Sequence, residues 1–171
     1  MKTIRVAKLH GIIFALLLSL GFADVAAETR IAVLDFELLD LTLAPRIPAE
    51  ITRTASIKPM LENELKKAGY EIVSITLNDQ QQATAGMGYL FDHPDVAAQL
   101  ANKQGADYVL VGRLHKPSFL FFYLLAHLVD VKKQALAGEY NYEVKGGEKT
   151  LVAKGVESLS EKITKTLGAL K

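Results

Sequence analysis

The most constraining feature of this sequence is a long apolar stretch, Gly105 to Gln134, which no other part of the chain after residue 27 matches in continuous hydrophobicity. A short segment, Lys116-Pro117-Ser118, interrupts it, and proline followed by serine is typical of a turn. The stretch therefore predicts two long, adjacent, antiparallel β-strands, Ala106 to Leu114 and about Ser118 to Asp130. Most of the core is expected to form against this pair.

The N-terminal residues have the pattern of a cleavable export signal. The chain begins with three basic residues: Lys2, Arg5 and Lys8. The apolar run Gly11 to Phe22 follows, and the small residues Val25-Ala26-Ala27 suit cleavage after Ala27. An uncleaved membrane anchor is the alternative, but a spanning helix needs about 20 apolar residues and Asp24 interrupts this run. We predict a signal peptide over residues 1–27 and a periplasmic location.

Composition limits what the remaining chain can be. There is no cysteine, so we expect neither disulfides nor a lipid-modified cysteine. Removing residues 1–27 of the 171 leaves 144, the size of one domain. The removed segment has a net charge of +2, so the whole-chain value of +1 becomes −1. We predict a single domain at residues 28–171 that does not bind nucleic acid, since such binding needs a clustered basic face.

Periodicity and turn residues predict eight elements in the order β-α-β-α-β-β-β-α. The predicted strands are Arg30–Phe36, Glu71–Thr76, Ala106–Leu114, Ser118–Asp130 and Leu136–Val144. The predicted helices are Ala49–Ala68, Asp92–Gln104 and Lys149–Leu167. A loop is expected at Glu37–Pro48, and a loop or a frayed turn at Asn78–Gly88.

Capping residues mark the helix boundaries. Ser56 is expected to cap the first helix with Pro59 in its first turn. One longer helix kinked at Pro59 is the alternative. Gly69 should end this helix in the left-handed conformation, and Asp92 should cap the second helix, with Pro94 in its first turn.

The spacing of these elements predicts an α/β fold with a mixed sheet and helices packed on it. Strands separated by helices are expected to run parallel through right-handed crossovers, and the last two links are short enough only for hairpins. Alternation in the last strand points four side chains inward: Leu136, Tyr140, Tyr142 and Val144. The final helix carries one apolar stripe: Val152, Val156, Leu159, Ile163 and Leu167.

Three segments carry a family resemblance. They read IAVLDFELLDLT from Ile31, HPDVAAQLANKQGADYVLVGRLHK from His93, and LVDV from Leu128. Together they resemble a family of exported bacterial proteins of unknown function, which is itself similar to the amino-terminal domain of TolB and the periplasmic domain of CsgG. The resemblance covers nearly all of Thr29 to Leu167 and implies the fold. It implies no catalytic residue.

Two segments depart from that family. Its members often have a cysteine pair where this chain has Leu90-Phe91-Asp92-His93, so no redox or metal role is carried over. They also tend to have an Arg-Gly-Asn-type segment where this chain has Val144-Lys145-Gly146-Gly147.

The polar residues form no recognised catalytic or metal-binding pattern. The histidines after residue 27 are His93, His115 and His127, and their spacing is not that of a metal site. We expect one to be exposed near the turn and one to be half-buried in the sheet. Asp92 and Asp95 flank His93, but helix capping accounts for Asp92. We therefore expect no cofactor, no metal and no enzymatic activity; a hydrolase would require a histidine and a carboxylate within hydrogen-bonding reach.

An aromatic run supplies the candidate partner-binding residues. Alternation places Phe119, Phe121 and Tyr123 on one face of the strand and Leu120, Phe122 and Leu124 on the other. The favoured interpretation is a strand covered on both faces. The functional interpretation is an exposed apolar patch at which Phe119, Phe121 and Tyr123 contact a partner.

These observations lead to two hypotheses. The first is a non-enzymatic periplasmic module that binds another cell-envelope protein, with no stable membrane span after signal cleavage. The alternative is a binder of a small molecule or cell-wall ligand, in a cleft where strands one to three end, near Asp35, Glu37 and Thr76.

Overall fold

The computed structural model describes residues 28–145 and 149–170, in which six strands and six helices are found. The strands are β1 Arg30–Val33, β2 Glu37–Asp40, β3 Glu71–Val73, β4 Tyr108–Lys116, β5 Phe121–Asp130 and β6 Ala135–Lys145. The helices are α1 Pro48–Ala55, α2 Ile57–Lys67, α3 Leu77–Ala83, α4 Tyr89–Asp92, α5 Pro94–Asn102 and α6 Lys149–Ala169. The predicted signal peptide and the segment Gly146-Gly147 lie outside the described residues.

The strands form one mixed sheet in the order β3-β1-β4-β5-β6, with β2 also paired to β4. Strand β1 runs parallel to β3 and to β4, because helices intervene in each connection. Strands β4, β5 and β6 are antiparallel neighbours. The predicted α/β fold with a mixed sheet and packed helices is confirmed.

The central hairpin is confirmed, but its turn is longer than predicted. Strands β4 and β5 pair from Tyr108↔Asp130 to His115↔Tyr123, and residues 117–120 connect them. Ser118 belongs to this connection, not to the strand, because its Oγ lies 3.3 Å from the amide nitrogens of Leu120 and Phe121 and accepts their hydrogen bonds.

The prediction of one strand at residues 30–36 followed by a loop is wrong. Strand β1 ends at Val33, and β2 then continues along the far half of the same neighbour, β4. Between them the chain contains one extra residue, since four steps from Val33 to Glu37 face three steps on β4. The Asp35 backbone bonds to the Gln80 side chain instead of the sheet, with N···O distances of 2.9 and 3.0 Å.

Glycine at position 112 makes room for this irregularity. The ring of Phe36 packs directly over Gly112 in β4, and a Cβ atom there would lie 2.2 Å from the ring. No larger residue could occupy the position without moving Phe36.

Two predictions about the segment from Leu77 to Asn102 also differ from the structure. Residues 78–88 were predicted as a loop or a frayed turn but contain most of the helix α3. The Thr76 hydroxyl accepts from the Asp79 amide at 3.1 Å and donates to the Asp79 carboxylate at 2.7 Å. Thr76 therefore caps α3, and the Thr-x-x-Asp spacing, which is that of a capping box, is the sequence signal that would have revealed the helix. In the other case Asp92 ends α4 and caps nothing, and His93 precedes α5.

The first predicted helix is two helices that meet at Ser56. Ser56 has helical dihedral angles and makes no capping hydrogen bond, because its hydroxyl donates to the Arg53 carbonyl oxygen at 2.7 Å. Pro59 lies in the first turn of α2, as predicted, and Gly69 has a φ of +87° beyond its end.

The helices cover the two sheet faces unequally. On one face α2 and α6 pack along the sheet, and the predicted α6 stripe is buried there: Val152, Val156, Leu159, Ile163 and Leu167. On the other face α5 packs on only the first part of the hairpin, around Val109, Val111 and Val129. In the described residues, no helix packs in the same way on the other part of that face, towards the His115↔Tyr123 pair.

The alternation in the last strand breaks at a bulge. Val144 is buried, and Tyr140 and Tyr142 pack on the same core cluster, as predicted. Leu136 does not, and it is 40% exposed. The register shifts between Leu128 and Val129, so Leu136 pairs with Val129 on the opposite face.

Candidate functional site

An open face forms where α4 and α5 end above the sheet. Its side chains come from four adjacent strands, and we name this set the open face: Leu39 of β2; Arg113 and His115 of β4; Phe121, Tyr123, Leu125 and His127 of β5; and Glu139, Asn141 and Glu143 of β6. The β6 members are exposed and the others are half-buried. By contrast, the opposite side of β5 is buried throughout.

The structure separates the three candidate partner-binding residues. Phe121 and Tyr123 lie half-buried on the open face, and Phe122 and Leu124 are buried on the other side, as alternation predicts. Covering on both faces, the favoured interpretation, is wrong for this part of the strand. Phe119 is not in the strand; it is 61% exposed in the β4–β5 connection, with its ring centroid 5.6 Å from Lys116 Nζ.

One end of the open face contains a stack of three side chains. The Arg113 guanidinium carbon lies 4.6 Å from the Phe91 ring centroid, and the Phe91 and His127 ring centroids are 3.7 Å apart. His127 Nδ1 lies 3.0 Å from the Phe91 carbonyl oxygen. Because a carbonyl only accepts, this nitrogen carries the proton. Phe91 and His127 line a shallow cleft of about 320 Å³ together with Leu125, Glu139, Tyr140 and Asn141.

The three histidines do not converge. His93 packs against Tyr89 with ring centroids 4.3 Å apart, and His115 packs against Tyr123 at 6.1 Å. His127 instead stacks on Phe91, so each histidine ring has a different aromatic partner. Within residues 28–145 and 149–170, no group of three or more His, Cys, Asp or Glu side chains is arranged to hold a metal ion.

The residues predicted to line a ligand cleft each have an internal partner. Asp35 pairs with Lys58 at 3.3 Å, and Thr76 caps α3. Glu37 accepts from the Gly88 amide at 2.8 Å and pairs with Arg113 at 3.4 Å. These contacts attach α2 and the segments around α3 and α4 to the ends of the parallel strands, so an internal structural role accounts for all three.

A buried charge network attaches α1 to the end of β4. Glu50 Oε1 lies 2.6 Å from Lys116 Nζ, and Glu50 Oε2 lies 2.5 Å from Arg53 Nη1. Glu50 and Lys116 are only 4% and 6% exposed. Glu50 and Arg53 are three residues apart on α1, but nothing local predicts their link to Lys116, which lies 66 residues from Glu50.

A second carboxylate organises the loop after β2. Asp40 accepts hydrogen bonds from the Thr42 amide and hydroxyl at 3.0 and 2.7 Å, and from the Arg46 amide at 3.2 Å. Burial by itself would raise the pKa of Asp40, but these hydrogen bonds and the nearby Lys116 charge outweigh it and lower the pKa below its ordinary value of 3.8.

This shift predicts a pH-dependent contribution to stability. A carboxyl whose folded-state pKa is lowered stabilises the fold above its unfolded-state pKa and loses that contribution as the pH falls through the folded-state pKa. Asp40→Asn should therefore destabilise the protein most near neutral pH, and the difference from wild type should shrink below about pH 4. Urea unfolding over a pH series measures it. In a Thr42→Val background the pH-dependent difference should be smaller; an unchanged difference would contradict the assigned cause.

Comparison with known proteins establishes the family. A sequence model of one protein family matches residues 29–163. The chain belongs to the DUF3280 family. That family is described as "Protein of unknown function (DUF2380)". No curated protein matches the chain.

Solved structures of other proteins have folds similar to that of this DUF3280 protein. It is similar to TolB from Acinetobacter baumannii, with 18% identity and a TM-score of 0.52, over 82% of this chain but 28% of TolB. It is similar to lipoprotein GNA1162 from Neisseria meningitidis, with 17% identity and a TM-score of 0.50, over 79% of this chain and 96% of that one. The hypothetical protein CT253 from Chlamydia trachomatis has 10% identity and a TM-score of 0.57, over 84% of this chain and 99% of that one.

These likenesses confirm the TolB-like fold that the sequence resemblance implies. In the described residues of this family member, the helices are too short or too polar to cross a bilayer.

Proposed function

We propose that this DUF3280 protein is an exported, non-enzymatic interaction module whose open face binds another protein of the cell envelope. The observation that carries the proposal is the unequal covering of the sheet, which leaves part of one face of β4, β5 and β6 without a helix layer. Uncovered apolar sheet surface is costly in water and marks a contact site.

The composition of the open face supports protein binding. Its centre is apolar and aromatic, with Tyr123 and Leu125 beside Phe121. Its edge is polar, with Glu139 and Asn141 exposed on β6. An aromatic centre within a polar rim is the usual anatomy of a protein interface.

The size of the open face indicates the strength of binding. Each side chain on one side of a strand occupies about 4.8 Å between strands and about 6.6 Å along the strand, so the ten members of the open face cover roughly 300 Å². Stable complexes bury about 800 Å² on each partner. We therefore expect a transient contact, unless the partner also reaches surfaces beyond the open face.

Export and fold support an envelope partner. The basic and apolar N-terminal pattern is that of a signal peptide, which would deliver residues 28–171 to the periplasm. A protein described as a lipoprotein has the same fold. The contacts of the histidines support a non-enzymatic role, since His127 Nδ1 bonds to a carbonyl oxygen instead of a carboxylate.

Site-specific photo-crosslinking in cells tests the proposal. A photoreactive residue replaces Tyr123 on the open face, and the control replaces Glu157, an exposed residue of α6. Mass spectrometry of the adducts should identify one envelope protein from position 123 and not from position 157. The same adducts from both positions, or none from 123, would count against the open face.

Purified partner then allows a quantitative test. Tyr123→Ser/Leu125→Ser should lower affinity about tenfold or more, because interface energy concentrates in central aromatic and apolar residues. Circular dichroism confirms that the variant is folded. Unchanged affinity in a folded variant would refute the proposed contact.

A further inference from the structure

Exposed apolar side chains concentrate at one end of the molecule. Of ten large apolar side chains that are strongly exposed in the described part of the chain, six belong to two loops and the start of α1. We name them the apolar tip: Leu41, Leu43, Ile47, Ile51, Phe119 and Leu120. Leu43 is 98% exposed, and Leu120 is 69% exposed. Such a concentration marks a surface that is covered in use.

Pairing between β2 and β4 brings the members of the tip together. Asp40 pairs with Lys116 at the end of the two strands, and the Leu41 amide donates to the Lys116 carbonyl oxygen at 2.9 Å. The chain therefore leaves both strands at the same edge. The Lys116 side chain bonds to Glu50, which fixes the start of α1 at this end.

Hydrogen bonds within the two loops satisfy several of their backbone donors. The Asp40 carboxylate accepts from the amides of Thr42 and Arg46, and Ser118 Oγ accepts from the amides of Leu120 and Phe121. Such amides need no water partner, which lowers the cost of moving the loops into a less polar medium. The apolar side chains are thus displayed on ordered loops.

We infer that the apolar tip inserts into the interface of a phospholipid bilayer that contains anionic lipids. The loops, residues 41–47 and 117–120, contain one charged residue, Arg46, and it is exposed. Protruding apolar side chains beside a cation match the acyl boundary and the phosphates of such a surface. A second copy docked tip to tip would bring two Arg46 side chains together with no carboxylate in either loop to pair with them.

Membrane binding by the tip can be tested separately from the open face, although the two surfaces adjoin at Phe121. Interfacial segments sink about 5–10 Å into the headgroup region. Leu125 lies about 17 Å beyond Leu120 along a strand and would remain in water, whereas Tyr123 lies about 10 Å beyond it, at the edge of that region. The vesicles contain no protein partner, so binding of the purified protein to them and cross-linking from Tyr123 in cells can fail independently.

Tryptophan fluorescence tests the insertion. The chain contains no tryptophan, so one introduced tryptophan reports only its own surroundings. Leu120→Trp places it at the tip, and Leu136→Trp places it on β6 near the opposite end of the sheet. Processed protein, obtained by expressing the full chain, is mixed with vesicles of phosphatidylethanolamine and phosphatidylglycerol. Emission from position 120 should shift to shorter wavelength and be quenched by headgroup-proximal spin-labelled lipid, and emission from position 136 should not.

Vesicle flotation supplies a matched comparison. Leu43→Ser/Leu120→Ser should lower the partition coefficient about tenfold or more, because two inserted apolar side chains are lost. Leu77→Ser/Leu136→Ser removes two leucines that are 55% and 40% exposed elsewhere, and it should change the coefficient less than about twofold. Arg46→Gln should abolish the preference for phosphatidylglycerol over neutral phosphatidylcholine vesicles.

Three results would overturn the inference. One is an equal response from positions 120 and 136, and another is equal loss of flotation in the two double variants. The third is a wavelength shift at position 120 without vesicles that grows with protein concentration, which would assign the tip to a second copy.

Discussion

Gly112→Ala is expected to destabilise the protein by about 3 kcal/mol, because overpacking a closed site forces neighbouring atoms to move. The added Cβ would lie 2.2 Å from two atoms of the Phe36 ring, well inside van der Waals contact. Phe36 is 7% exposed, and it belongs to the core cluster that packs on α2 and α6. Urea unfolding followed by circular dichroism measures the loss.

Two further variants make this result interpretable. Phe36→Leu in the Gly112→Ala background should recover part of the stability, since the smaller side chain relieves the contact. Gly168→Ala in α6 has no atom within 4 Å of the added Cβ and should be neutral or stabilising by up to about 1 kcal/mol. A Gly112→Ala variant as stable as wild type would show that the ring moves away freely.

Glu50→Ala is expected to cost about 3–5 kcal/mol, the usual effect of removing one partner from a buried ion pair. Lys116 would keep a buried charge without its carboxylate partner, and Arg53 would lose the same partner. The attachment of α1 to the end of β4 depends on this network, so the apolar tip should also become less ordered. Urea unfolding measures the first effect, and hydrogen exchange of residues 41–55 measures the second.

A surface pair is the matched control. Glu64→Ala breaks an i,i+3 pair with Lys67, whose side chain is 64% exposed, and such pairs contribute at most about 1 kcal/mol. Glu50→Leu/Lys116→Met should be more stable than Glu50→Ala, because it removes both buried charges together. If Glu50→Ala and Glu64→Ala cost the same, the network would have no special role.

Recognition between distant residues accounts for the features that sequence reasoning missed. The break between β1 and β2 depends on Phe36 packing over Gly112, and on the Gln80 side chain bonding to the Asp35 backbone. Neither contact leaves a local signal near residue 36. In contrast, the helix α3 does have a local signal, Thr76 and Asp79, and it could have been predicted.

The candidate site was only partly predicted, because alternation along a strand is a local property and the covering of its faces is not. Alternation correctly separated Phe121 and Tyr123 from Phe122 and Leu124, since the side-chain period of a strand is a local property. It misplaced Phe119. The amides of Leu120 and Phe121 donate hydrogen bonds to Ser118 Oγ, and β5 begins only at Phe121. Which side of β5 a helix would cover depends on the lengths and docking of α4 and α5, which no strand pattern encodes.

Periodicity and connection length were enough to predict the central hairpin, the parallel strands and the buried stripe of α6, because each depends on neighbours in the chain and on chain handedness. The open face, the apolar tip and the buried Glu50 network arise only when segments far apart in the chain pack together. Whether these side chains are buried or exposed depends on tertiary packing, because it is the other elements that cover a surface or leave it uncovered.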